Sequence, residues 1–226
     1  MKRLIKNRPV CILLMMLAAV YLSFITVDLF FASLGLLSTF MKYSGMLLCL
    51  AIAMRLNNGA WDKRDSALLV VALFLTCVSD LFLLLLERPV PGLVAFCFVH
   101  LMYIRRYKPG FSKPAAAIVA FVLAGCLMAK ILIDGFPIIV ILGCLYGVLI
   151  VAVTMFAFAA PLPQVNRRLA TAGMMMFLLC DIHVALFNTL TASNPYYPLA
   201  SFFMWLFYLP AQVLLALSGY DYAEYA

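Results

Sequence analysis

The sequence predicts an all-α membrane protein, a polytopic transmembrane bundle of eight helices. Three observations predict it. The chain is 67% hydrophobic and 11% charged over 226 residues, whereas a soluble domain is roughly half apolar. Its apolar residues come in runs of about 17–25, enough to cross roughly 30 Å of hydrocarbon. Its basic residues gather on alternate connections between those runs, the pattern that orients multi-spanning proteins. No stretch is left over for a soluble domain, so residues 1–226 are expected to form a single integral membrane domain.

The elements follow in order. Span one, 10–28, comes after Lys2, Arg3, Lys6 and Arg8. A basic tail before an apolar run also describes a signal peptide, but only an even number of spans accounts for the charges. Span two, 31–54, is separated from it by the weakest break, "VDLFFASLG", interrupted only by Asp28 and Gly35. Arg55, Lys63 and Arg64 mark the next connection. Span three, 66–86, ends at "ERPVPG". Span four, 91–107, ends at "KPGFSKP", among Arg105, Arg106, Lys108 and Lys113. "DGFP" divides span five, 114–133, from span six, 136–160. "PLP" with Arg167 and Arg168 precedes span seven, 169–191, and "SNPYYP" precedes span eight, 198–219. Proline and glycine at these points stop one helix and begin another.

The basic residues therefore lie on one side, apart from Arg88, Lys130 and the intramembrane Lys42. Both termini are expected in the cytoplasm, in a bacterial-type inner membrane. The net charge of +7 is then a topology signal, and no nucleic-acid partner is expected. The seven cysteines all lie within apolar runs, without a C-x-x-C pair. They are expected to pack as small apolar residues; no metal and no cofactor is predicted.

The polar residues inside the spans carry the functional signal. A carboxylate at mid-membrane costs roughly 2.5–3.5 kcal/mol on insertion scales, yet Asp80 and Asp181 both sit deep. Asp80 lies seven residues before Glu87, Asp181 about eleven before the end of its span, His100 nine after Pro91 and Tyr208 ten after Pro198. Lys42 lies about ten into span two. At 1.5 Å per residue these depths are ~10–17 Å from the outer boundary, so five spans contribute to one polar layer. Helical spacing puts Asn188 on the face of Asp181, Tyr103 on that of His100 and Gln212 on that of Tyr208. His183, two residues from Asp181, points elsewhere and reads as structural.

A Lys42–Asp pair could simply glue helices, but one lysine neutralises only one of two acids. Two carboxylates close together in a low dielectric do not both ionise, which makes an acid and a base from one residue type. A fainter echo links "TCVSDLFLLL" and "LLCDIHVALF", each followed by a span with mid-depth polar residues. It points to two four-helix halves in a parallel repeat.

At these residues the chain resembles the YhhN-like lysoplasmalogenases, a family of eight-span membrane proteins. "FMKYSG" supplies Lys42. "SDLFLLLLERPVPGLVAFCFVHLMY" supplies Asp80, Gly92, Phe96, His100 and Tyr103, and span six offers Tyr146 and Met155. The strongest patches, "AGMMMFLLCDIHVALFNT" and "WLFYLPAQVLLALSG", supply Gly173, Phe177, Asp181, Asn188, Tyr208 and Gln212. Tyr43 stands where the family commonly has proline, and Cys180 where serine is usual.

The resemblance implies hydrolysis of the vinyl-ether bond of a lysoplasmalogen to a fatty aldehyde and a glycerophospho-alcohol. The substrate is then a lysophospholipid met among membrane lipids. Asp80 and Asp181 would be the catalytic acid and base, in an order left open. Lys42, His100, Tyr103, Asn188, Tyr208 and Gln212 would bind and orient the substrate and the water. Arg88 reads first as a solvated loop arginine and only second as a phosphate contact. Three other functions compete. A proton-coupled transporter of a lipid or small molecule would also use intramembrane Asp and His. An intramembrane aspartyl protease would need Tyr-Asp and Gly-x-Gly-Asp, where this chain has Ser79-Asp80 and Cys180-Asp181. A non-catalytic scaffold leaves the common depth unexplained.

Overall fold

The computed structural model describes residues 8–107 and 137–222, with scattered helical positions between 121 and 133. Seven long helices lie in the two main stretches. They are α1 (Arg8–Phe30), α2 (Gly35–Leu56), α3 (Lys63–Asp80), α4 (Pro89–Tyr107), α5 (Ile138–Phe158), α6 (Gln164–Thr189) and α7 (Tyr197–Leu217). No strand occurs among the described residues. The helices answer to expected spans one to four and six to eight; span five lies largely outside the described residues. The weak break holds: α1 stops at Phe30 and a single 3₁₀ turn, Ala32–Leu34, leads into α2.

Six of the helices are long and apolar enough to cross a membrane, as a multi-pass membrane protein requires. The exception is α4. It carries His100, Tyr103, Arg105 and Arg106, which lower its hydropathy, and all of these but Arg105 are buried in protein.

Helix starts follow backbone chemistry. Asp62 caps α3 by accepting from the backbone N–H groups of Arg64 and Asp65 at 2.6 and 3.0 Å, which satisfies donors no turn precedes. Pro137 and Pro163 stand at the N-caps of α5 and α6, and α4 begins on Pro89; proline loses nothing where no intrahelical N–H bond is made. Pro210 lies inside α7 instead. Having no N–H, it leaves the carbonyl of Leu206 without its helical donor. The Tyr21 hydroxyl of α1 donates to that carbonyl at 3.0 Å, so the defect in one helix becomes the dock for another.

α2, α3, α4, α5, α6 and α7 each pack on the next, and α7 closes onto α2. Among the described residues the result is a six-helix ring, with α1 outside against α2 and α7. Two helical glycines let neighbouring helices approach closely. A Cβ on Gly92 would fall 2.6 Å from the Leu83 side chain, and one on Gly173 would fall 2.8 Å from Leu215 and 3.1 Å from the Ala211 carbonyl. These are the α3–α4 and α6–α7 contacts. Ser79 locks the first by donating from Oγ to the Gly92 carbonyl at 2.7 Å. Cys49, Cys77, Cys97 and Cys180 are buried and unbridged and pack in the core as small apolar groups.

The turns after α1, α3 and α6 share one end of the ring, here the mouth end. The turns after α2 and α5 and the end of α7 form the base. α3 widens into a π-helical turn, Leu81–Leu85, directly after Asp80, and the chain then turns through Glu87 at φ 51°. Such wide turns re-aim side chains and recur at functional sites.

Candidate active site

A cavity of about 360 Å³ opens toward the mouth end, and every helix of the ring contributes to its wall. Asp80 comes from α3, Tyr146 from α5, Asp181 from α6, and Trp205 and Tyr208 from α7. Lys42 and Thr39 on α2 and Phe96 on α4 complete the circuit. Leu83 and Leu84 reach the wall from the π turn.

The two carboxylates lie on this one cavity, held by different helices. Asp80 is 4% exposed and accepts from the Tyr208 hydroxyl at 2.7 Å. Asp181 accepts from the Tyr146 hydroxyl at 2.6 Å. In each case the bond goes to Oδ2, and no other hydrogen bond to either carboxylate is found among the described residues. The partners are not equivalent in the ring: Tyr146 is on the helix next to that of Asp181, whereas Tyr208 reaches Asp80 from α7. Wide apolar walls and two carboxylates, each with a single tyrosine donor, leave carboxyl oxygens for a bound molecule.

Lys42 also lines the cavity, but its counter-ion is neither of the expected acids. Its Nζ lies 2.8 Å from Oδ2 of Asp28 and 4.5 Å from the ring centre of Trp205. Ser38 donates to the other oxygen of Asp28 at 2.5 Å. The physical reason is reach: a lysine stem carries its ammonium toward the membrane boundary, and Asp28, near the end of α1, waits there. Asp28 had only the look of an interruption in an apolar run.

The other expected residues divide. Asn188 lines the cavity and is exposed; its Nδ2 donates to the Val184 carbonyl at 2.8 Å. His100, Tyr103 and Gln212 are fully buried but are absent from the cavity wall. They stand behind it: the His100 ring centre is 4.9 Å from that of Tyr146 and 5.5 Å from that of Phe177. His183 packs against Phe203 and Phe207, its Nδ1 2.7 Å from the Leu179 carbonyl, away from the acids as its spacing predicts. Met155 is 67% exposed on the outside of the ring. Among the described residues no three His, Cys, Asp or Glu side chains group as metal ligands.

A second polar cluster closes the base. The Arg106 guanidinium donates from Nε and Nη2 to both oxygens of Asp65, each at 2.8 Å. It also donates to Oγ and the carbonyl of Ser218 at 2.8 and 3.1 Å. Trp61 donates to Asp65 at 3.1 Å, and Asn166 to the carbonyls of Ser218 and Tyr220 at 2.8 and 2.6 Å. Arg106 and Asp65 are 5% and 6% exposed, although the sequence pattern placed both in loops. Helix α4 keeps its last turn inside the ring because the guanidinium meets four acceptors there, two of them the oxygens of Asp65.

The model of the YhhN family matches residues 37–219. No curated protein and no solved structure matches the chain. The match covers well over half of the sequence, so the chain belongs to the YhhN family.

Proposed function

We propose that this YhhN-family protein is a membrane hydrolase that cleaves the vinyl-ether bond of a lysoplasmalogen. The observation that carries the proposal is the pair of carboxylates, Asp80 and Asp181, on one apolar-walled cavity, each holding a single tyrosine donor. Family membership supports a lipid hydrolase without naming its substrate.

A vinyl ether opens when its β-carbon takes a proton. The electron pair of the double bond forms the new C–H bond and the ether oxygen shares the positive charge. One Asp, protonated, gives that proton. The other, ionised, lies against the oxocarbenium ion and then takes a proton from the attacking water. The hemiacetal collapses to aldehyde and alcohol as the alkoxy oxygen is protonated. General acid and base steps of this kind contribute about 10²–10⁴-fold each, and charge in a water-poor site is stabilised far more than in bulk water.

The cavity suits a one-chain lipid. Its volume falls near the lower end of small-ligand sites, about 300–1,000 Å³. Leu83, Leu84, Leu93, Phe96 and Met204 offer apolar wall to an alkenyl chain. Lys42 is the cation of the wall among the described residues and is the natural contact for the head-group phosphate. Asn188 and Ser201 stand near the same end.

The test is incubation of the protein, purified in detergent, with choline and ethanolamine lysoplasmalogens and assay of aldehyde release. Both should yield aldehyde, and a two-chain plasmalogen should be turned over far more slowly. Absence of aldehyde from every vinyl-ether lipid overturns the proposal. Gradient-driven uptake into vesicles without conversion would then favour the transporter reading.

A further inference from the structure

Behind the cavity wall the ring has a polar interior that the acid–base pair does not account for. Nδ1 and Nε2 of His100, the hydroxyls of Tyr103 and Tyr107, and both amide atoms of Gln212 are buried without a hydrogen-bond partner among the described residues. His100, Tyr103 and Gln212 are 0% exposed and Tyr107 is 2%. Buried polar groups in folded proteins are almost always paired, and an unpaired one is costly. Six such atoms together would forfeit a stability comparable to that of a whole domain.

Their placement is ordered. His100, Tyr103 and Tyr107 recur at three and four residues and so form one stripe along α4. The Tyr103 and Tyr107 rings stack with centres 5.9 Å apart. Gln212 lies one turn beyond Tyr208 on α7, which runs in the same direction from mouth to base. The stripe begins at His100, packed on Tyr146 and Phe177, and Phe177 packs in turn on Tyr208 at 5.8 Å. It ends at Tyr107, beside Arg106 of the base cluster. The ring of Tyr146, whose hydroxyl holds Asp181, is therefore at its head.

We infer that this stripe is an internal water site, in which His100, Tyr103 and Tyr107 bind ordered water behind the cavity wall. Water is the ligand whose chemistry fits: the stripe mixes donors and acceptors, and a buried water needs two to four polar partners. Alkyl or aromatic ligands would leave every one of these atoms unpaired. The use of the water rests on the proposed hydrolysis, which consumes one molecule per turnover inside an apolar wall. It also offers the proton a way home. The acid loses a proton to carbon and its partner gains one from water. Return of that proton from base to acid is the second task such water could serve.

The test is hydroxyl-radical footprinting by X-ray radiolysis of the full-length protein in detergent. Labelling is read residue by residue and normalised to the rate in the denatured chain. Radicals formed from bound water label its immediate neighbours even where bulk solvent does not reach. Tyr103 and His100 should label several-fold faster than Phe24, which is equally buried but packed among Tyr21 and Trp205. Labelling of Tyr103 and His100 as slow as that of Phe24 overturns the water site. The measurement needs no substrate, so it fails independently of the hydrolase reading. Labelled Tyr103 in a protein that releases no aldehyde would sink the hydrolysis and leave the water site standing.

Discussion

Asp65 at the base and Asp80 with Asp181 at the cavity are the same residue type in the same ring, and they are treated in opposite ways. Asp65 receives two guanidinium donors and an indole N–H, and two more donors of the same guanidinium go to Ser218. Asp80 and Asp181 receive one tyrosine hydroxyl each. A charge met on every side is committed to holding helices together. A carboxylate met on one side keeps oxygens and a proton for something that comes and goes. The difference separates architecture from chemistry without appeal to either residue's depth.

The comparison breaks most visibly at the base. Asp65→Asn or Arg106→Met leaves one buried charge uncompensated, which costs about 3–5 kcal/mol. Thermal unfolding in detergent should show a large loss of stability, while protein that remains folded at low temperature turns over nearly normally. If either variant melts like the parent, the cluster is not the clamp described here.

At the cavity the effects should invert. Asp80→Asn and Asp181→Asn should each lower the rate at least ~10²-fold, with unfolding midpoints equal to or above that of the parent, because a buried carboxylate is replaced by a neutral group of the same shape. Near-normal turnover in either variant removes that residue from the reaction. Tyr146→Phe and Tyr208→Phe delete the single donor on each acid. A hydrogen bond to a charged group is worth about 1.5–3 kcal/mol, so kcat should fall roughly 10- to 100-fold while KM changes little. A change confined to KM would make the tyrosines substrate contacts instead.

The smallest effect belongs to Asp28→Asn. The Asp28–Lys42 pair is partly exposed, 26% and 12% for the two side chains, and such pairs contribute only about 0.2–1 kcal/mol. Stability should scarcely move. KM should shift a few-fold as Lys42 loses the group that positions it, and an unchanged KM would separate Lys42 from the head group.

Helix ends were legible in the sequence, and neighbourhood was not. Hydropathy and proline placed the ends of α1 to α4 and α5 to α7 to within a few residues, because lipid thickness and backbone chemistry act locally. The same counting put Lys42, Asp80, His100, Asp181 and Tyr208 in one layer. It could not say which residues of that layer share a wall, since that depends on how six helices close a ring. Hence His100 and Gln212 fell behind the cavity, and Lys42 found Asp28. Tyr146, the partner of Asp181, entered only through the family resemblance, because a tyrosine nine residues into an apolar helix carries no signal alone. Arg106 and Asp65 were hidden for the converse reason: charges at helix ends look like loop charges until the partner that buries them is known.

The central claim is that Asp80 or Asp181 delivers a proton to carbon. Running the reaction in D₂O with a lysoplasmalogen, trapping the aldehyde at once by reduction and reading its mass tests this directly. The account predicts one deuterium on the carbon next to the former aldehyde carbon, and none in product from Asp80→Asn or Asp181→Asn beyond their residual turnover. Aldehyde formed by the parent protein without deuterium at that carbon would contradict it.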